Sequence, residues 1–153
     1  MAESCYGGGA WTGELRLVLL EDRRKAATRG GRSLWAVESP LAYRTHALDT
    51  ITLPPGFVTD LASIPRFAWS LLPADGPWAL AAVFHDLLYR TNGTGRRWKN
   101  LLSQGGISRS SSYSRAEADL ILLQAMEDLA VPWLQRTIIW AAVRLGGGAG
   151  WGH

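Results

Sequence analysis

The sequence has few of the features that would make a disulfide-bonded or membrane-spanning protein. Cys5 is the single cysteine among 153 residues, so an internal disulfide is excluded and nothing requires an oxidising compartment. The two longest largely apolar runs, residues 15–20 and 137–143, are too short to span a bilayer. The amino terminus lacks the basic and then apolar layout of a signal peptide. We therefore expect no transmembrane segment.

Acidic residues are missing from a long stretch of the chain. The net charge is only +3, yet residues 90–115 carry six cations and no acid, and residues 23–32 form a second basic segment. Two interpretations stay open for these stretches: solvated loops, or binding of phosphate from a lipid headgroup or a nucleic acid. The candidate binding residues are Arg96, Arg97 and Lys99. No motif for sequence-specific nucleic-acid recognition is present in the sequence.

The apolar content is sufficient for one core. Hydrophobic residues make up 47% and charged residues 19% of the chain, a balance typical of a globular domain. Eight tryptophans are many for this length, and tryptophan is enriched at protein interfaces. We predict a single domain over residues 1–153. In chain order it comprises a flexible lead (1–13), a β half (14–54), a helical half (57–146) with a long basic loop (91–113), and a glycine-rich tail (147–153).

The β half contains short β-prone runs that are bounded by turn-forming residues. They predict strands at residues 15–20, 33–37, 41–44 and 50–53. Helices are expected to follow, so the fold class is α+β: a small antiparallel β-sheet in the amino-terminal half, then a bundle of three to four helices.

The helical half has clear start signals. Proline is tolerated in the first turn of a helix, which predicts a short helix over 65–72, another after Pro77, and a last one over 132–145. Ser114 and Glu117 form a capping box, so a helix begins there and runs to about residue 130.

The helix after Pro77 places ionisable side chains in a segment otherwise suited to the core. Residues 81–89 are mostly apolar but include His85, Asp86 and Tyr89, which share one side of a helical wheel. Burying such groups costs free energy unless they are paired or bound to a ligand. This segment therefore predicts a polar site.

Asp119 is the predicted partner of His85. It lies on a flank of its helix away from the solvent-facing side, which includes Asp128. If the two helices run antiparallel, their ends meet and the carboxylate can fix the tautomer of the imidazole. Asp86 then remains available for a cation or an arginine. The cluster has three open interpretations: a buried polar network, a catalytic or metal site, or a binding site.

A further polar segment precedes the short helix over 65–72. Asp60 and Ser63 fit as caps of that helix. Alternatively, Asp60 or Arg66 points toward His85. Ser63 as a nucleophile is another alternative, although it lacks a Gly-x-Ser-x-Gly elbow. His46 has no partner that the sequence identifies.

Three ordered motifs resemble one uncharacterised family. They are residues 57–66, residues 81–89, and Ser114-Arg115 with Ala118-Asp119, and residues 140–144 look like the closing segment of that family. The family is known as domain of unknown function 1353 and is found mostly in phages and prophages. The resemblance covers roughly residues 35–146. It implies a phage or prophage origin, and a location in the virion or in the host cytoplasm before assembly.

A second resemblance concerns the polar cluster. His85-Asp86-x-x-Tyr89, followed about thirty residues later by Asp119, resembles the catalytic core of phospholipase A2 enzymes, in particular those of parvovirus capsids. The resemblance implies that His85 activates water, Asp119 orients His85, Asp86 binds calcium as the cofactor, and Tyr89 supports the network. Those enzymes also need a glycine-rich calcium loop, and residues 57–66 lie in its place without matching it.

Two functions from different classes follow. The first is a virion or assembly component of the tail or head–tail region, whose partners are other phage structural proteins or further copies of the chain. The second is a hydrolase that acts on lipid or cell envelope during phage entry or exit. The polar cluster is architecture in the first function, and in the second it is the catalytic centre.

Overall fold

Strands occupy the first part of the chain and helices the second. The computed structural model describes residues 4–6, 9–20, 34–59, 78–95 and 106–152. The strands are β1 (Ser4–Tyr6), β2 (Gly9–Thr12), β3 (Leu17–Leu19), β4 (Trp35–Val37), β5 (Leu41–Arg44), β6 (Thr50–Leu53), β7 (Val58–Thr59) and β8 (Gly106–Ile107). The helices are α1 (Ala79–Arg90), α2 (Arg115–Asp128) and α3 (Trp133–Gly146), with a short 3-10 helix at Gly147–Gly150. The predicted α+β class is confirmed.

The strands form two small antiparallel sheets, where a single sheet was expected. One sheet has the order β1-β2-β5-β6-β8 and the other the order β3-β4-β7. The four predicted strand regions each contain a strand. The two strands β7 and β8 were not predicted, because two residues carry no readable alternation. Since β8 pairs with β6, the predicted long loop over 91–113 contributes to the sheet.

Residues 1–13, for which we predicted a flexible lead, instead contribute β1 and β2. These two strands pair with each other, and β2 pairs with β5. Trp11 is 4% exposed and stacks on Tyr43 with 4.2 Å between ring centroids. Burial of one large aromatic ring thus anchors a segment whose glycine-rich composition had suggested a flexible lead.

Helix α1 lies against the five-stranded sheet at the centre of the core. Residues 81–89 are all buried, as the sequence predicted. Phe84 packs edge-on against both Trp11 and Tyr43, at centroid distances of 5.5 and 6.2 Å. The polar side of α1 therefore cannot face water, and its ionisable side chains must find partners within the protein.

A tight junction brings the end of α1 beside the start of α2. Gly93 has a φ of 79°, and its carbonyl oxygen accepts a hydrogen bond from the backbone nitrogen of Tyr113 at 3.0 Å. A Cβ atom at Gly93 would lie only 1.9 Å from the carbonyl oxygen of Tyr113. Only glycine fits this approach, which places the last turn of α1 near the first turn of α2.

The start of α2 is stabilised as predicted. The Ser114 side chain accepts a hydrogen bond from the backbone nitrogen of Glu117, and Glu117 accepts one from the backbone nitrogen of Ser114. Arg109 of the basic loop pairs with both oxygens of Glu117 at 2.9 and 3.1 Å and lies 3.9 Å above the Tyr113 ring. The hydrogen bond from Arg109 has the largest effect on the pKa of Glu117, and the hydrogen bond from the Ser114 backbone has the next largest. Together they lower this pKa to about 2. Arg109 therefore helps to stabilise the first turn of α2.

Helix α3 completes the helical part of the described chain. None of the helices in the described ranges has the length and hydropathy that a membrane crossing needs. Helix α3 begins directly after Pro132, as predicted, and packs on α2. The short helix predicted over 65–72 lies outside the described residues.

Candidate functional site

The carboxylate of Asp119 accepts hydrogen bonds from three side chains in the core. Its Oδ1 atom lies 2.9 Å from His85 Nε2 and 2.6 Å from the hydroxyl of Tyr89. Its Oδ2 atom accepts a hydrogen bond from Arg144 Nη1 at 2.7 Å. Asp119 is 0% exposed and His85 is 2% exposed. The predicted pairing of His85 with Asp119 is confirmed, whereas the sequence did not predict the contact with Arg144.

Three helices contribute to this cluster because of where they begin and end. His85 and Tyr89 lie one turn apart on α1, so both point to the same side, and their rings are 4.1 Å apart. Asp119 lies near the start of α2, and Arg144 lies in the last turn of α3. One carboxylate therefore connects three helices.

The charges in the cluster follow from burial and hydrogen bonding. Burial alone would raise the pKa of Asp119, but the bonds from His85, Tyr89 and Arg144 outweigh it, and the pKa lies below its ordinary value. For His85, burial is the largest effect and lowers the pKa despite the neighbouring carboxylate. Asp119 is therefore ionised and His85 neutral at pH 7.

This charge state fixes the tautomer of His85. An ionised carboxylate can only accept, so the imidazole proton must lie on Nε2 and be donated to Asp119. Nδ1 then carries a bare lone pair, and within the described ranges no hydrogen-bond donor reaches it. An unsatisfied buried acceptor costs roughly 1–3 kcal/mol, which makes Nδ1 the chemically notable atom of the cluster.

Tyr89 links the cluster to a second arginine. Its hydroxyl donates to Asp119 and accepts a hydrogen bond from Arg115 Nε at 3.2 Å. Burial, and then the bond to Asp119, raise the pKa of Tyr89 to about 12, so it stays protonated and can donate. Arg115 also donates to the carbonyl oxygens of Val143 and Arg144 at the end of α3, where the last carbonyl groups of a helix lack a full set of helical partners.

The glycine-rich tail covers Tyr89. The backbone nitrogen of Gly152 donates to the Tyr89 carbonyl oxygen at 2.8 Å, and the ring of Trp151 packs edge-on at 5.1 Å. A Cβ atom at Gly147 would lie 2.9 Å from the Tyr89 hydroxyl. The small size of glycine therefore allows the tail to pack against the site.

Asp86 does not join the cluster around Asp119. It forms an ion pair with Arg90 at 3.1 Å, which is one of the two kinds of partner that the sequence predicted. Arg90 also donates to the Val58 carbonyl oxygen at 2.6 Å. Among the described residues, no three histidine, cysteine or acidic side chains lie close enough together to hold a metal ion. The calcium-binding role that the phospholipase resemblance implies for Asp86 stays a prediction.

Sequence reasoning missed a second His-Asp-Tyr cluster. Asp128 was interpreted as solvent-facing but is 1% exposed. Its carboxylate accepts a hydrogen bond from the Tyr43 hydroxyl at 2.6 Å and lies 2.9 Å from His46 Nε2. Because 82 residues separate His46 from Asp128, only the position of α2 against the β5–β6 turn brings them together. Burial, and then Asp128, raise the pKa of Tyr43.

Several predicted site residues lie outside the described ranges. They are Asp60, Ser63, Arg66, Arg96, Arg97 and Lys99. Their predicted roles, as caps, supporting groups and phosphate ligands, stay predictions.

Comparison with known families gives one match. The family described as a protein of unknown function (DUF1353) matches residues 35–143, which include α1, α2 and most of α3. The chain belongs to the DUF1353 family. The match spans His85, Tyr89 and Asp119, and ends one residue before Arg144. No curated protein and no solved structure gives a significant match to this DUF1353 chain.

Replacing Asp119 by Asn tests the role of its charge. Asp119→Asn keeps the shape of the side chain but leaves Arg144 without its counter-charge. We expect the free energy of unfolding to fall by about 2–4 kcal/mol, because Arg144 is 36% exposed and stays partly hydrated. Urea denaturation measures this loss. Glu14→Gln, in an exposed pair 3.7 Å from Arg16, is the control and should change stability by less than about 0.5 kcal/mol. Equal stability of the two variants would contradict the assignment.

The lowered pKa of His85 predicts how stability depends on pH. The unfolded chain binds a proton on this histidine near pH 6.5, but the folded protein does so only at lower pH. Stability from this group is therefore complete above about pH 7 and declines as the pH falls, by at most about 1.4 kcal/mol per pH unit. Asp119 stays ionised in this window because its pKa is lowered.

The His85→Gln variant isolates this contribution. The difference in unfolding free energy between the wild-type protein and the variant should shrink between about pH 7.5 and pH 5.5. Denaturant titrations at several pH values measure it. A difference that grows toward acid would mean that the pKa of His85 is raised in the folded state, contrary to this account.

Proposed function

We propose that this DUF1353 protein is a phage- or prophage-encoded structural or assembly component, and that the cluster around Asp119 is architecture. The observation that carries the proposal is the outer surface of α3. Trp133, Leu134 and Leu145 are 66%, 56% and 88% exposed. Large apolar side chains grouped on one element are typical of a surface that a partner covers.

The inner side of α3 explains why the outer side needs a partner. Ile139, Ala142 and Val143 are buried against the rest of the protein. This contact already holds the helix in place, so the apolar side chains on the outside add nothing to the stability of a monomer. Burying each of them fully in an interface would contribute about 1.5–3 kcal/mol.

The cluster around Asp119 supports the proposal by its completeness. Both carboxylate oxygens are used, and their donors come from α1 and α3. Breaking such a network would leave a buried charge without a partner, which is costly. The network therefore holds the three helices in one arrangement. Because the helices are held rigidly, this protein would lose little conformational entropy when a partner binds the outer surface of α3.

The phage part of the proposal rests on the likeness of the three ordered motifs to a family found mostly in phages and prophages. The expected location is the virion, or the host cytoplasm before assembly, and the expected partners are phage structural proteins or further copies of the chain.

Mass spectrometry of purified particles tests this function. Particles produced by a host that carries the gene should contain the chain after gradient purification. Trp133→Ala combined with Leu134→Ala should lower its amount by about tenfold or more, which corresponds to about 1.4 kcal/mol of lost binding. Leu48→Ala, at a 67% exposed leucine between β5 and β6, is the matched control and should leave the amount unchanged. Absence of the wild-type chain from particles and from assembly intermediates would refute the proposal.

We also propose a second candidate function, a hydrolase, because one observation favours it specifically. The buried Nδ1 atom of His85 has no hydrogen-bond donor within the described ranges, while Nε2 is held by Asp119, so its lone pair could accept a proton from a water molecule admitted beside it. A water molecule at Nδ1 would lose its proton to His85 as its oxygen attacks an ester carbonyl. The tetrahedral intermediate would then expel the alcohol, which takes the proton back, and Asp119 would stabilise the transient imidazolium.

Release of fatty acid from phospholipid vesicles tests the second function. The wild-type chain should hydrolyse the ester, and His85→Gln should lower the rate by about a hundredfold or more, the range for loss of a general base. Circular dichroism establishes that the variant is folded, and Glu14→Gln serves as the control. If the wild-type chain releases no fatty acid, with or without added calcium, the hydrolase function is rejected.

A further inference from the structure

The outer surface of α3 carries a regular apolar seam. Leu134, Ile138, Ala141 and Leu145 are spaced by four, three and four residues, which is the spacing of the a and d positions of a coiled coil. Leu134 and Leu145 are mostly exposed, and the two residues between them are half-buried. The seam lies roughly 130° around the helix from the buried side of α3. It is therefore a second apolar side that the monomer does not use.

The seam is symmetric about the middle of the helix. Leu134 and Leu145 are equally far from the midpoint between residues 139 and 140, and so are Ile138 and Ala141. If two copies of α3 pack antiparallel across a two-fold axis at that midpoint, each Leu134 meets Leu145 of the other copy. Each Ile138 then meets an Ala141, so that a large side chain faces a small one.

We propose that a second copy of this chain covers the seam, and that the two copies form an antiparallel α3–α3 homodimer. The inference deepens the proposed structural role and rests on it, because it takes the outer surface of α3 as an assembly surface and names its occupant. The seam extends about 17 Å along α3, from Leu134 to Leu145, at 1.5 Å rise per residue. Such a short interface predicts a dissociation constant in the micromolar range.

The charges of α3 favour a second copy over an anionic membrane. The helix contains Arg136 and Arg144 and no acidic residue. Arg144 is paired with Asp119 at 2.7 Å, and Arg136 lies 3.8 Å from Glu127. Since each cation has an acidic neighbour in its own copy, two α3 helices can approach without strong repulsion. The same pairing leaves little positive charge to attract lipid headgroups.

Sedimentation equilibrium of the 153-residue chain from about 1 to 200 µM tests the proposal against the expected micromolar affinity. The wild-type chain should approach twice the monomer mass of 16.7 kDa at the highest concentrations. Leu134→Glu combined with Leu145→Glu places like charges opposite each other and should weaken the dimer by about a hundredfold or more. Its melting temperature should hardly change, because both side chains are more than half exposed.

A charge-reversal variant tests the antiparallel arrangement. Leu134→Glu combined with Leu145→Lys places opposite charges together twice across the two-fold axis, so dimerisation should return. A parallel dimer would instead bring like charges together and would stay dissociated. Leu48→Ala is the matched control, because Leu48 is a 67% exposed leucine in the turn between β5 and β6, away from α3, and its loss should leave the dimer intact.

Each outcome decides between the proposals. A wild-type chain that stays monomeric at the highest concentration overturns the homodimer, and so does binding of monomers to vesicles of anionic phospholipid through the seam. If the chain is monomeric in solution but present in particles, only the homodimer fails. If it is dimeric but absent from particles and from assembly intermediates, the structural role fails and the dimer stands.

Discussion

The arrangement of the three helices depends on one buried charge. Asp119 could not remain ionised in the core without donors, and each of the three donors it has is supplied by a neighbouring helix: His85 and Tyr89 by α1, Arg144 by α3. A shift or rotation of either helix would break at least one of these bonds and leave the charge uncompensated. The same contacts fix the tautomer of His85, whose burial keeps it neutral, and they hold Tyr89 beside Arg115 and orient the outer side of α3. The architecture, the proposed chemistry and the proposed assembly surface therefore share one physical origin.

The parts of the site that the sequence predicted were those encoded within one helix. The positions of His85 and Tyr89 followed from the period of α1, and Asp119 stood out because a carboxylate on an inner flank of α2 needs a partner. The start of α2 was readable from Ser114 and Glu117, because a capping box is a local pattern. The α+β order was readable for the same reason, since strand-like and helix-like periods occupy separate parts of the chain.

The parts that were missed depend on contacts between distant segments. Asp128 looked solvent-facing on its own helical wheel, yet its carboxylate contacts Tyr43 on β5 and His46 in the β5–β6 turn. The segment up to residue 13 has too many glycines to suggest strands, yet β2 pairs with the distant strand β5 and Trp11 packs against Tyr43. The contact of Arg144 with Asp119 was not predicted, because nothing in the neighbourhood of Arg144 along the chain indicates a carboxylate on α2. Periodicity describes a single element and says nothing about its neighbours.

The protonation state of His85 is the most direct test of this account, because its neutrality follows from burial and its tautomer from the hydrogen bond to the ionised Asp119. Long-range 1H–15N correlation spectra of the labelled protein distinguish the two neutral tautomers and the imidazolium, and the His85→Gln variant assigns the signals. At pH 7 the account predicts a neutral ring with its proton on Nε2 and a bare Nδ1. A proton on Nδ1 would show that Asp119 does not fix the tautomer, and a doubly protonated ring would show that burial does not keep His85 neutral; either result contradicts the account.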